Sequence, residues 1–481
     1  MAHPTSIGSF DRSLLYEAVD RALADGASYA EARYHSIRGF SFVLMNGMLI
    51  GTSYTDSTGV AVRALYNGGL GFSSTDSLRR DHVLEAAAKA VKGARSAAAM
   101  GGSRIGLSEE RLGRARYEAS QVKPLDGIED WDKISVIQEI YKSINLDIGV
   151  EVKNVLIGFS YEFEDKILVT SDGALVESRI PRVGMFYSLT TQYSGERANR
   201  WNQLGGVGGL ELVRDLKLKE SIEDDLASLK LYLTKAGKPP KGRMDVVLGP
   251  EVVGLAVHES AGHPSEADRV MGREAAQAGL SYRRRMKPGE VIGSEYATVI
   301  DDPTIPGSYG FYLYDDEGVP ARPRYLIRNG VLEEYLHNRE TAYAMDTKSN
   351  AAARAKEWWA EPIVRMANTY FAPGDYSFEE LVEDVKHGVY IKKYMEWNID
   401  DYRWIARYVG FEAYEIVDGR IGRPVKNPAL EVNSKEFYSG VDAAGRDLEF
   451  QAGTCGKGEP GQGVPVWFGG PHVRLRGVRI I

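Results

Sequence analysis

Two histidines five residues apart, in the run His258-Glu259-Ser260-Ala261-Gly262-His263, constrain this chain more than any other feature. On a regular helix that spacing leaves the two rings roughly 140° apart around the axis, too far to meet. Gly262 and Pro264 offer a way out, because a π-type turn or a helix end there swings the second ring back towards the first. The spacing therefore predicts an irregular helix. Residues 244–248, Met-Asp-Val-Val-Leu, read as a buried strand, Gly249-Pro250 as a turn and 251–260 as the start of that helix. A strand thus delivers the motif.

Neutral imidazoles are favoured ligands of Zn²⁺, and a carboxylate beside them can take a proton from a metal-bound water. His258 and His263 are candidate ligands and Glu259 the candidate general base, the combination used in metal-assisted hydrolysis. Catalytic zinc usually takes three protein ligands plus water, so one ligand is still to be found. The single cysteine, Cys455, lies in Gln451-Ala452-Gly453-Thr454-Cys455-Gly456-Lys457-Gly458. That segment is too rich in glycine for a packed helix and can bring backbone close to a metal. By itself a lone cysteine reads as an inert buried residue. Glu266 and His337 are the candidate fourth ligands of a closed, structural site, although His337 reads more simply as a surface histidine at a strand end. Asp301, Asp302, Asp315 and Asp316 invite a second metal, but paired carboxylates in Gly/Pro-flanked loops more often cap turns.

Several ordered segments extend the motif over most of the chain. Residues 257–264 are followed by Glu266-Ala267-Asp268, then Asp301-Asp302-Pro303-Thr304, Asp315-Asp316-Glu317-Gly318-Val319-Pro320, Arg365-Met366-Ala367-Asn368-Thr369-Tyr370 and Gly453-Thr454-Cys455-Gly456-Lys457. With Gly59-Val60-Ala61-Val62-Arg63 and Gly71-Phe72-Ser73-Ser74-Thr75 near the start, this order resembles the TldD/PmbA family, and its metal-bearing TldD branch in particular. The resemblance implies a zinc-dependent peptidase in which His258, His263 and Cys455 hold one Zn²⁺ and Glu259 is the catalytic residue. It also implies a partner subunit, a TldE/PmbA-like homologue that shares the fold but lacks the metal motif. Small or unfolded peptides are the implied substrates. The loop between Met345 and Trp359, with its Ala351-Ala352-Ala353, is less typical of the family.

Composition agrees with these readings without selecting them. At 481 residues with 43% hydrophobic content, the chain can bury more than one core. A net charge of -8 is modest for this size and nothing suggests a polyanion binder, since Arg283-Arg284-Arg285-Met286-Lys287, the one strong basic run, reads as a solvated loop. No nucleic-acid partner is expected. One cysteine excludes an intramolecular disulfide framework and fits a reducing compartment. Residues 1–10 carry no charged leader with an apolar core, and no stretch approaches the roughly 20 apolar residues of a membrane span. The expectation is a cytoplasmic chain with no membrane partner.

The expected fold class is α+β: a mixed amino-terminal α/β domain over 1–237, with a possible subdivision near 98–130, then a strand-rich domain over 242–481 carrying the irregular metal-binding helix. Lys238-Pro239-Pro240-Lys241 marks the crossing. Apolar spacing predicts helices over 11–25, 81–94, 131–146 and 221–236, and strands over 29–36, 40–44, 48–53, 60–66 and 70–74. Further strands are expected through 154–191. Asn46-Gly47, Asn67-Gly68 and Asn329-Gly330 are tight hairpin signals, the last between strands over 323–328 and 331–337. Residues 98–103 read as a small-residue connection, Ser377-Phe378-Glu379-Glu380 as a capping-box start for a helix to 386, and 404–417 and 473–480 as strands.

Overall fold

The computed structural model describes residues 10–102, 104–274, 279–458 and 461–481. The leader reading of residues 1–9 and the end of the 98–103 connection at Ser103 lie outside them. A seven-stranded sheet forms the amino-terminal half. Its order is Gly69–Thr75, Met48–Tyr66, Tyr29–Met45, Glu151–Thr170, Leu175–Tyr193 and Arg114–Glu118, and Glu196–Val207 also pairs with Leu175–Tyr193. The Asn-Gly pairs make its tight turns: φ is positive at Asn46 and Gly47 and again at Asn67 and Gly68, the combination that matches the twist of flanking strands.

Two helical layers cover different ends of this sheet. Ser13–Ala24 and Arg80–Ala99 bury Leu15, Val19, Val83 and Val91 with Ala32, Val60 and Val62 of the strands. Their alanines let helix and sheet approach closely. At Gly71 a Cβ would lie 2.1 Å from the carbonyl oxygen of Ala90, so no larger residue fits. Asp130–Ser143 and Leu218–Thr234 bury Ile134, Ile137, Leu226 and Leu229 over Phe42, Phe159, Met185 and Leu189.

The first strands differ from the sequence reading. Expected strands over 29–36 and 40–44 are one strand, Tyr29–Met45, and those over 48–53 and 60–66 are one strand, Met48–Tyr66. The intervening residues keep their ladder but lack apolar alternation, because the stretch from Gly51 to Asp56 is exposed. The helix expected to end near 94 runs to Ala99, and the strand expected over 331–337 is only Val331–Leu332.

In the carboxy-terminal half, Gly242–Leu248, Val473–Ile480, Ala429–Asn433, Ile405–Val417 and His387–Ile399 pair in turn, and the last of these pairs back with Gly242–Leu248. This closes a five-strand ring around Val246, Leu248, Ile391, Val432 and Leu475. A second sheet runs Val331–Leu332, Arg324–Arg328, Val299–Asp301, Asn368–Phe371, Gln462–Gly470 and Glu449–Lys457, so the cysteine-bearing strand is its edge. Between ring and sheet lies the helix Pro250–Val257, buried at every residue. Proline at its first position is tolerated because that N–H has no helical partner. The architecture is α+β as expected, and among the described residues no helix is long and apolar enough to cross a membrane.

Candidate metal centre

The helix Pro250–Val257 widens into a π turn over His258–Gly262. The N–H of His263 donates to the carbonyl of His258, five residues back, which brings the second imidazole around to the first. Their ring centroids are 5.0 Å apart at 82°. The irregular helix required by the spacing is present. Two serines hold the distorted turn: Ser260 Oγ donates to the carbonyl of Ala256 and Ser265 Oγ to that of Ala261, each at 2.6 Å, a back-bonding pattern that bends helices. Gly262 packs under Met366: a Cβ there would lie 2.1 Å from its Sδ, so a larger residue would displace that side chain.

The structure brings His258, His263 and Cys455 together. Each offers one ligand atom, all within 4.8 Å of one another, and all three residues are buried. Nε2 of His263 is 3.5 Å from Cys455 Sγ. A tetrahedral zinc with bonds of about 2.05 Å to nitrogen and about 2.3 Å to sulfur spaces such a pair about 3.6 Å apart, so the His263–Cys455 pair has the spacing for that ion. Nδ1 of His258 is buried with no partner among the described residues. Burial holds both imidazoles below their ordinary pKa, favouring the neutral form that ligates. Burial alone would push the Cys455 thiol up, but His263 and Arg365 outweigh it and bring it down. Neutral imidazoles and an acidified thiol are the protonation states a metal needs.

Glu266 is not a member of this group. It orients one, accepting a hydrogen bond at 3.0 Å from Nδ1 of His263 and so leaving Nε2 to face the thiol. Burial raises its carboxyl, but Lys457 first, then His263 and Arg269, outweigh that and hold it well below the usual range. Arg365 donates to the carbonyl of Cys455 at 2.5 Å, fixing the strand that carries the thiol.

Glu259 is buried beside the donors and forms an ion pair with Arg403. Both line a cavity of about 560 Å³ together with the three donors, Glu251, Trp201 and Trp397. The sequence reading missed Arg403 and the orienting role of Glu266. Glu266 carried a signal, its place three residues after His263; Arg403, 144 residues from Glu259, carried none.

Other candidates are placed elsewhere. His337 is buried rather than on the surface, with Nδ1 3.1 Å from Thr341 Oγ1 and a pKa lowered to about 4 by burial, and it is not in the donor group. Asp301 pairs with Arg324, Asp302 caps Thr304, Asp315 accepts from the N–H groups of Glu317 and Val319, and Asp316 holds Lys166. In the basic run, Arg283 is not solvated: it is buried, donates to Ser265 Oγ and the carbonyl of Glu334, and lies over the Tyr335 ring.

Two imidazoles and a thiol beside a carboxylate, on the wall of a cavity, form a group that could hold a metal ion. Family profiles described as the PmbA/TldA metallopeptidase domain 1, central domain and C-terminal domain match residues 30–98, 123–231 and 241–481. A metalloprotease of Methanocaldococcus jannaschii is 34% identical over 459 residues, covering 95% of this chain and 98% of that protein. A zinc metalloprotease TldD homolog of Saccharolobus solfataricus is 25% identical, covering 97% and 99%. TldE of Thermococcus kodakarensis has the same fold, with a TM-score of 0.71 and 18% identity, covering 97% of this chain and 99% of that one. This chain belongs to the TldD/PmbA family and is a metallopeptidase.

Proposed function

We propose that this chain is the zinc-bearing, catalytic member of a TldD/TldE-type pair and hydrolyses peptide bonds in small or unfolded peptides. The observation that carries this reading is the convergence of His258, His263 and Cys455 beside Glu259 on one open cavity. In this reading the three donors hold one Zn²⁺, and the ion supplies Lewis acidity that polarises a peptide carbonyl and makes water more acidic. Glu259 takes a proton from the attacking water and delivers it to the leaving nitrogen. Glu266 keeps His263 in the tautomer that presents Nε2.

An extended substrate suits the cavity walls. Glu449–Lys457 is an edge strand, and Gln451 to Gly456 line the cavity opposite Arg200 to Gln203 of Glu196–Val207. A peptide added to such an edge is held by main-chain hydrogen bonds with little sequence preference. The reading includes a metal-free TldE/PmbA-like partner, a boundary near 237–242 between an amino-terminal and a metallopeptidase domain, and a cytoplasmic location, which the single cysteine supports.

The test is Glu259→Gln. The variant should keep one zinc per chain and lose cleavage of an unstructured peptide by about 10²–10⁴-fold. Full turnover by the zinc-loaded variant would remove Glu259 from the mechanism. A zinc amidase acting on modified peptides or small amides uses the same residues, and a panel of peptides against small amides separates it. A purely structural zinc, in a subunit that only binds peptides, is the third reading; zinc without turnover in wild type, with the partner added, would favour it.

A further inference from the structure

Arg403 reaches the cavity from a part of the chain that no motif marks. It sits at the tip of the hairpin joining His387–Ile399 to Ile405–Val417, and three register shifts between Ile391 and Glu396 bend that arm. At the tip Arg403 takes φ +60, a left-handed conformation uncommon for a residue with a side chain. The conformation is held from both sides: its N–H donates to the carbonyl of Asp400 at 2.9 Å, and its carbonyl accepts from Ser434 Oγ at 3.0 Å. The tip is also tied to the π turn. Tyr282 donates its N–H to the carbonyl of Tyr402 at 2.8 Å, and its hydroxyl to the carbonyl of Ser260 at 2.8 Å. The arm and the donor-bearing turn therefore keep a fixed relation.

A second arginine on the cavity supplies the contrast. Arg200 commits all three of its nitrogens: Nε to Asp225 at 3.1 Å, Nη1 to the carbonyl of Tyr394 at 2.8 Å and Nη2 to Glu251 at 2.6 Å. It braces the wall. Arg403 commits Nη1 to Glu259, while its Nε is buried with no partner among the described residues. A guanidinium that does not commit every nitrogen to a brace is thus held against Glu259, on a left-handed backbone fixed by two hydrogen bonds.

We propose that Arg403 is a further catalytic residue: with a peptide bound, its guanidinium donates to the carbonyl oxygen of the bond being cleaved. This rests on the peptidase reading above. In that step the water oxygen forms a bond to the carbonyl carbon and the π pair moves onto the carbonyl oxygen, while the water's proton passes to Glu259. The C–N bond then breaks, its electron pair goes to nitrogen, and Glu259 returns the proton there. The carbonyl oxygen gains negative charge before it loses it, and a fixed cation aimed at that oxygen favours the transition state over the ground state. Arg403 shares the cavity with Glu259 and the donors, which is where that oxygen forms.

The experiment compares wild type, Arg403→Ala and Arg403→Lys as full-length, zinc-loaded chains with the partner subunit present, on one unstructured peptide. Zinc content and melting temperature are measured alongside. The expected result for Arg403→Ala is a kcat lower by about 10²–10³-fold, KM within about threefold of wild type, and zinc unchanged. Arg403→Lys should recover part of kcat, added guanidinium ion should rescue the alanine variant in part, and a phosphonamidate peptide should bind the alanine variant more weakly in proportion to kcat/KM. If Arg403→Ala does not fold, the lysine variant and the phosphonamidate carry the test. Unchanged kinetics would overturn the proposal and leave Arg403 as a clamp on Glu259. A raised KM with unchanged kcat, confined to peptides with a free terminal carboxylate, would also overturn it and make Arg403 a carboxylate anchor. Wild type that binds zinc but cleaves no peptide defeats the peptidase reading itself, an outcome distinct from an active wild type with an equally active variant.

Discussion

Two buried polar regions of this molecule are built on opposite principles. Where the amino-terminal sheet meets the carboxy-terminal half, charges answer one another. Arg63 lies between Glu31 at 3.0 Å and Glu317 at 2.5 Å, Lys166 between Glu164 at 2.9 Å and Asp316 at 3.0 Å, and Arg339 meets Asp172 at 2.6 Å. At the metal centre two imidazoles and a thiol face one another, and His258 Nδ1 has no partner among the described residues. The seam sets opposite charges against one another, whereas the centre gathers three side chains whose donor atoms could hold a metal ion. Opposite charges that pair across a seam tie two parts of a fold together; neutral donors that converge beside a carboxylate mark a site.

The difference should be visible in what each region loses when cut. The largest effect on stability is expected at the seam. Arg63→Met leaves Glu31 and Glu317 buried without their cation and should cost about 3–5 kcal/mol, read as a fall in the denaturation midpoint, while zinc affinity of the folded protein stays at wild type. A zinc affinity that falls along with stability would erase the distinction. Next comes Glu266→Gln, which weakens the hold on His263 Nδ1. Zinc affinity should drop by about 10–100-fold in a competition titration, with a smaller stability loss than at Arg63.

A smaller effect in the seam is read by pH. Burial lowers the pKa of His35, in the seam, from 6.5 to about 4. The folded state therefore resists protonation of His35 more than the unfolded state does. Its contribution to stability is fully present above pH 6.5 and is lost as pH falls towards 4, at up to about 1.4 kcal/mol per pH unit. Urea titrations of the metal-free protein at pH 7, 5.5 and 4.5 measure this, and His35→Gln should flatten the slope. An unchanged slope in that variant would take His35 out of the seam's balance.

How much of this was legible in the sequence follows from how local each feature is. The π turn was readable because His258, Gly262, His263 and Pro264 lie within seven residues and a regular helix cannot let two histidines at that spacing meet. The Asn-Gly hairpins were readable for the same reason: each turn lies in two residues whose backbones accept positive φ. Cys455 gave no signal beyond a glycine-rich surrounding; its place beside His263 came from family resemblance, because a strand 192 residues away delivers it. Arg403 was invisible, since its position depends on bulges in one strand and a left-handed turn at the end of it. The long first strands were read as fragments because the exposed middle of Met48–Tyr66 has no buried face to impose alternation. The surface reading of His337 failed because Asn350 and Thr341 fold over it, a tertiary contact that strand-end logic does not contain.

The most direct test of the centre is a zinc measurement on wild type and Cys455→Ser, by elemental analysis and competition titration, with peptide cleavage assayed on the same samples. One tightly held zinc per wild-type chain is expected, lost together with cleavage in the variant while the denaturation midpoint of the metal-free protein is unchanged. Equal zinc affinity in the two proteins, or full cleavage by a wild type that holds no metal, would contradict a centre built from His258, His263 and Cys455.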